Sequence, residues 1–171
     1  GGLVGRYRRC TVTPGPVVIG IDPGLSGAIV CVRAHEVLSC HDMPVEVGTG
    51  KRRRVSAPAT VHLLRGLAER WGVQSVAIER VAARPDQGVA SMFAFGRSLG
   101  VLEGVVASLG LALTYYSPAA WKRRHGLTGR PKDASRARAL ELYPAAVPWL
   151  KRKKDHGRAD AILLAHLSLQ P

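Results

Sequence analysis

The run Val17-Val18-Ile19-Gly20-Ile21 is too short for a helix and too apolar for a strand with one wet face. β-Branched residues dominate it, and Asp22-Pro23-Gly24 follows with turn chemistry. Such a run belongs in the interior of a sheet covered on both sides. The chain must therefore supply helices for two faces of that sheet. Asp22 closes the run, so a charge stands at the rim of a rigid buried element.

The remaining segments supply the layers. Residues 28–33 and 37–43 read as two further strands in a meander with the first. Residues 44–56 read as a polar loop, free to order on a ligand, that carries Lys51, Arg52, Arg53 and Arg54. Positions 58–71 show helical spacing, with Val61, Leu64, Leu67 and Ala68 on one face and Gly72 as the stop. Residues 75–79 form a strand ending in Glu79, and a loop follows over 80–88. A long helix rich in Gly, Ala and Ser is expected over 89–109, then a fifth strand over 111–116. Helices at 118–124, 133–143 and about 156–167 complete the chain, with a break at 144–148. This order predicts an α/β fold with a five-stranded mixed sheet flanked by helices. Residues 1–15 read as a basic irregular arm with Arg6, Arg8 and Arg9, and 16–171 as the folded domain.

Charge then narrows the function. The 171 residues hold 25 Lys plus Arg against 12 Asp plus Glu, a formal net charge of +13. A domain this basic calls for an anionic partner, nucleic acid first and an anionic membrane surface second. No uninterrupted apolar run reaches the roughly 18 residues that span a bilayer, so no membrane partner is expected. The basic residues cluster at Lys51 to Arg54, at Lys122 to Arg124, at Lys132 and at Lys151 to Lys154. Each Lys or Arg set against a phosphate adds a salt-dependent increment to binding. Arg80 opens the loop after Glu79, well placed for bases, and Arg97 lies on the long helix. The three cysteines, Cys10, Cys31 and Cys40, have no paired spacing. An odd count argues against a disulfide framework, and nothing suggests zinc.

The acidic residues are few and placed against the grain. Glu79 follows Val76-Ala77-Ile78, where an unpaired carboxylate would be costly to bury. Asp160 lies among Ala159, Ala161 and Ile162 on the last helix. If the strands ending in Asp22 and Glu79 are neighbours, the two can face one site, with Asp160 above them. A fourth group comes from Asp155 or His156. His156 is four residues before Asp160 and shares its helical face; Asp155 is the harder oxygen ligand for Mg²⁺ and could instead cap the helix. A His there could also orient or deprotonate a water. Such a cluster repels phosphate unless cations fill it, which favours a metal-dependent enzyme over a passive binder.

On the long helix, Gly96, Gly100 and Gly104 fall four apart. Tight packing inside the domain and a dimer interface are equal readings of that stripe. Phe93 could stack on an opened base, although packing into the core is the simpler expectation.

These residues carry a resemblance. Ile19-Gly20-Ile21-Asp22-Pro23-Gly24-Leu25-Ser26-Gly27, Ile78-Glu79 and Ala159-Asp160-Ala161 resemble the RuvC-type Holliday junction resolvases. Trp121-Lys122-Arg123, Lys132-Asp133-Ala134-Ser135-Arg136 and the long run Leu150 to Asp160 resemble the plastid branch of that family, the monokaryotic chloroplast proteins. The resemblance spans about residues 17 to 167 and implies an RNase H-like nuclease domain. It also implies a homodimer that binds a four-way DNA junction and nicks two strands symmetrically, with Mg²⁺ or Mn²⁺, two ions per site. It places Lys122 and Lys132 near the scissile strand, Lys132 among the catalytic residues. It further implies a chloroplast location. In one respect the chain departs from the bacterial pattern of two acids three apart on the last helix, because Gly157 stands three before Asp160.

Three rivals remain. An ATP-handling fold of the actin and sugar-kinase type needs a second phosphate loop and a second domain, for which 171 residues leave little room. A non-catalytic junction-binding module would not need the carboxylates. Another RNase H-like nuclease could act on RNA–DNA hybrids.

Overall fold

β1 (Val17–Asp22) lies at the centre of a five-stranded sheet. In this computed structural model residues 15–80 and 88–170 are described. The basic arm, apart from Gly15, and most of the loop after Glu79 lie outside the described residues. β2 (Ala28–Arg33) runs antiparallel to β1, and β3 (Glu36–Asp42) antiparallel to β2. On its other side β1 pairs in parallel with β6 (Ser75–Glu79), and β6 with β7 (Ala112–Tyr116). The order β3-β2-β1-β6-β7 is the expected mixed sheet.

Alternation along β1 divides the core. Val17, Ile19 and Ile21 face one cluster, with Leu64 and Leu67 of α1 (Ala57–Trp71) and Leu102, Val105 and Val106 of α2 (Val89–Ser108). Val18 faces the other, with Trp121 of α3 (Pro118–Arg124), Ala139 of α4 (Ala134–Leu142) and Ile162, Leu163 and Leu164 of α5 (His156–Leu169). Each such side chain, fully buried, contributes roughly 1.5–3 kcal/mol. Helix ends follow local rules: Gly72 closes α1 at φ 63°, and Ser117 caps α3 by accepting from Ala120 N.

One glycine decides how α5 lies on the sheet. A Cβ at Gly20 would stand 1.8 Å from the Ala161 carbonyl oxygen. The helix backbone therefore rests directly on β1, one residue beyond Asp160.

Three readings are corrected. Residues 44–56 are not a plain loop: β4 (Val45–Val47) and β5 (Arg53–Val55) pair antiparallel as a small ribbon. Arg54 Nε donates across it to Glu46 Oε1 at 2.6 Å. Three-residue strands inside a run of arginines leave too little alternation to read. The glycine stripe of α2 does not pack inside the domain either. Gly96, Gly100 and Gly104 are exposed, and a Cβ on any of them would meet nothing within 4 Å among the described residues. Phe93 on the same helix is 73% exposed rather than in the core.

By length and composition α2 is also apolar enough to cross a membrane. Arg97 and Glu103 interrupt it, Glu103 accepts from Tyr115 Oη at 2.8 Å, and one face packs on the sheet.

Candidate active site at the end of the central strands

The parallel register of β1 and β6 pairs Ile21 with Ile78. The next residues, Asp22 and Glu79, therefore emerge side by side at the same end of the sheet. α5 crosses above them because Gly20 admits its backbone, and this delivers Asp160. Gly157 brings the start of α5 down as well. A Cβ there would meet Ser26 O at 2.8 Å, Asp22 Oδ2 at 3.0 Å and Gly27 Cα at 3.1 Å. A side chain at position 157 would crowd this backbone, so Gly157 suits the close approach of the helix to the turn after β1.

Electrostatics mark the same place. Burial, then the Asp160 charge, pushes the Asp22 carboxyl up to about 7; Glu79 adds to this, while the Gly24 N–H and His156 oppose it. The Asp160 carboxyl is pushed up to about 6, first by burial and then by Glu79, against the pull of Ser135, Lys122 and Lys132. Asp160 Oδ1 is buried with no hydrogen-bond partner among the described residues. Two crowded acids and an unpaired buried oxygen form a donor set that suits a cation.

Glu79 differs from them in having a fixed partner, since Trp121 Nε1 donates to its Oε2 at 2.7 Å. Beside the acids is a cavity of about 250 Å³ lined by Trp121, Lys122, Arg130, Lys132, His156 and Asp160, among others. Its lining joins the carboxylate end of the sheet to exposed cations.

The fourth-group alternatives separate. His156 opens α5 and faces this cavity. Asp155 is buried, but both its oxygens are taken by Arg152: Oδ2 accepts from the backbone N at 2.7 Å and Oδ1 from Nε at 2.9 Å. It makes no side-chain cap on α5; it closes the single turn 153–155 that leads into the helix. Arg158, one turn into α5, donates to Asp42 Oδ1 at 2.7 Å and to the Trp149 carbonyl.

Among the basic candidates, Lys122 and Lys132 are exposed and line the cavity, Arg123 is exposed on α3, and Lys151, Lys153 and Lys154 are exposed on the segment before α5. Arg52, Arg53 and Arg54 project from the ribbon. Arg97 is exposed on α2, and Arg80 is exposed where its backbone N–H holds the Tyr116 carbonyl. The Lys51 side chain lies outside the described residues. Cys31 and Cys40 are buried free thiols pushed up to about 12, so neither is a ready ligand or nucleophile.

Among the described residues, no three His, Cys, Asp or Glu side chains are grouped closely enough to hold a metal ion as they stand. The donor chemistry nevertheless fits one. Carboxylate oxygens and an imidazole sit together, one oxygen is orphaned, and the charges resist each other. Gly20 and Gly157 had no signal in the sequence as site-builders. The only hint for Gly157 was the gap it leaves in the acid pattern.

Structures of RuvC share this fold. Thermus thermophilus RuvC in complex with a Holliday junction substrate superposes with a TM-score of 0.60 at 16% identity, over 88% of this chain and 90% of that one. The yeast mitochondrial Holliday junction resolvase Ydc2 follows with 0.54 at 16%, over 91% and 78%. In sequence, the chain is 32% identical over 154 residues to the chloroplastic Holliday junction resolvase MOC1 of Chlamydomonas reinhardtii. The chain has a RuvC-type fold. The algal match takes in 75% of the chain but only 17% of the relative's own length. No protein-family model matches. A RuvC-type fold explains why the carboxylates gather at the carboxyl end of β1 and β6, where a parallel pair leaves two strand ends open beside each other.

Proposed function

We propose that this RuvC-type chain is a divalent-metal-dependent endodeoxyribonuclease that resolves four-way DNA junctions by symmetric paired nicks. The observation that carries the reading is the pair Asp22 and Asp160, raised to about 7 and about 6 beside a cavity walled by Lys122 and Lys132. Asp22, Glu79, Asp160 and His156 would hold Mg²⁺ or Mn²⁺, two ions per site. When bound, the ions supply an activated water and neutralise charge on the attacked phosphate. Lys122 and Lys132 hold that phosphate against the acidic end of the sheet. Burial and the Asp160 charge raise the Asp22 carboxyl toward neutral pH, so protons would compete with a cation there.

For the assembly we propose a homodimer through the exposed face of α2, where Val89 is 79% and Phe93 73% exposed beside the open glycine stripe. For the compartment we propose the chloroplast, the location in the algal relative's name.

The test is Asp22→Asn on a mobile four-way junction, a linear duplex and an RNA–DNA hybrid, with Mg²⁺ and with EDTA. The variant should keep junction binding and lose cleavage by at least about a hundredfold. Cleavage by Asp22→Asn at the wild-type rate would sink the mechanism. Preference for the hybrid would move the chain to another RNase H-like activity. Absence of any metal-dependent cleavage by the wild type would favour a binding module.

A further inference from the structure

Trp121 has 0% of its surface exposed, yet its indole N–H is spent on a carboxylate. Nε1 donates to Glu79 Oε2 at 2.7 Å, from α3 to the end of β6. An indole N–H can only donate, and a carboxylate oxygen can only accept, so the pairing has one sense. Its length is that of a charge-assisted bond. The donor cannot swing away. Trp121 N bonds the Ser117 carbonyl at 3.1 Å, α3 is capped by Ser117, and the ring is packed in the core under α5. Lys122 Nζ lies 5.4 Å from the centroid of the same ring. Asp22 and Asp160 are held less firmly: among the described residues Asp22 Oδ1 accepts a 3.3 Å bond from Gly24 N, Ser135 acts on the Asp160 carboxylate, and Asp160 Oδ1 accepts no bond.

We infer that Trp121 is a positioning residue for Glu79. Its N–H fixes one carboxylate oxygen and so presents the other, Oε1, toward Asp22 and Asp160 as a single-oxygen ligand for a divalent cation. This rests on the reading of Glu79 as a cation ligand. Glu79 is then the preorganised member of the set, and the two crowded aspartates adjust around it. Because the same short helix offers Lys122 to the cavity, the phosphate-facing cation and the metal-facing carboxylate share one rigid mount.

Trp121→Phe keeps a buried ring and removes the donor. The Mg²⁺ concentration for half-maximal cleavage should rise about tenfold, as expected for loss of a group that orients a ligand. The rate at saturating Mg²⁺ should stay close to wild type, and junction affinity in EDTA should not change. A fall in saturated rate with an unchanged Mg²⁺ midpoint would mean a packing role only and would overturn the inference. A second measurement avoids any substitution in the core. The chain has three tryptophans, Trp71, Trp121 and Trp149, hence three indole N–H resonances in a ¹H–¹⁵N spectrum of the metal-free protein. Glu79→Gln should move the Trp121 resonance alone, and Mg²⁺ added to the wild type should move it too. If Glu79→Gln leaves all three in place, the bond is not formed in solution and the inference falls. The underlying reading fails separately: it fails if Glu79→Gln cuts at the wild-type rate, whatever Trp121→Phe does.

Discussion

Asp160 is held where its charge is unwelcome, and that has a measurable sign. Its folded pKa of about 6 lies above the ordinary 3.8. Between those values the folded state binds more protons than the unfolded state, so this group lowers stability as pH rises through the window. Above about 6 the penalty is complete; below 3.8 it is absent. Asp160→Asn removes the charge and keeps the shape. In EDTA at pH 7.5 the variant should melt several degrees above wild type, a gain on the order of 2 kcal/mol, and the gain should vanish near pH 3.5. Thermal melts at both pH values check this; a variant less stable at pH 7.5 would show that Asp160 is satisfied in the fold. Cleavage should be lost in the same protein. Asp22, Glu79 and Asp160 were legible in the sequence because each interrupts an apolar run, and local contrast is what a sequence displays. Gly20 and Gly157 were not. Their role lies in what a Cβ would strike on a distant segment, at 1.8 Å from Ala161 O and 2.8 Å from Ser26 O, and no local pattern encodes that.

At the level of elements, α5 is the part on which the site depends most. Its start is tied down twice, by Asp155 to Arg152 and by Arg158 to Asp42. Further along, the Tyr143 hydroxyl bonds the Ala34 carbonyl at 3.2 Å and lies 2.8 Å from His166 Nδ1, joining the helix to the turn between β2 and β3. These ties hold His156 and Asp160 over the sheet. Asp155→Asn tests whether Asp155 is an anchor or a ligand. As an anchor, its loss weakens a buried charge-assisted pair, costs about 1–3 kcal/mol, and leaves cleavage recoverable at low temperature. As a ligand, its loss would abolish cleavage without lowering the melting temperature. Denaturant unfolding and cleavage at 10 °C and 37 °C separate the two outcomes. The sequence placed α5, but left Asp155 and His156 open, since spacing cannot say that an arginine three residues earlier will claim both oxygens. The β4–β5 ribbon escaped for a related reason: its strands are defined by pairing with each other rather than by their own periodicity.

At the scale of the whole molecule, the described residues carry one cluster of acids, whereas the proposed symmetric resolution of a junction needs two cuts at opposed positions. A two-fold pair of chains meets that need with one kind of interface. The exposed side of α2 is suited to it: Val89 and Phe93 stand out by 79% and 73%, and the bare backbone at Gly96, Gly100 and Gly104 lets a second helix approach closely. This face lies on the opposite side of the sheet from α5 and its packed core. A change there can therefore alter assembly while the carboxylates stay in place. Phe93→Asp puts a charge at the centre of that face, and an unpaired charge there is costly once a partner covers it. If the proposed dimer forms through this face, the wild type should sediment as a dimer and the variant as a monomer at the same concentration, with an unchanged melting temperature at low concentration. On a supercoiled plasmid bearing an extruded cruciform, a dimer that makes both cuts before release gives linear product, and a monomer that cuts once gives nicked circles. Wild type should yield mainly linear DNA and Phe93→Asp mainly nicked circles. If Phe93→Asp remains dimeric and still linearises the plasmid, the two-fold contact lies elsewhere on the chain and the apolar side of α2 serves another purpose.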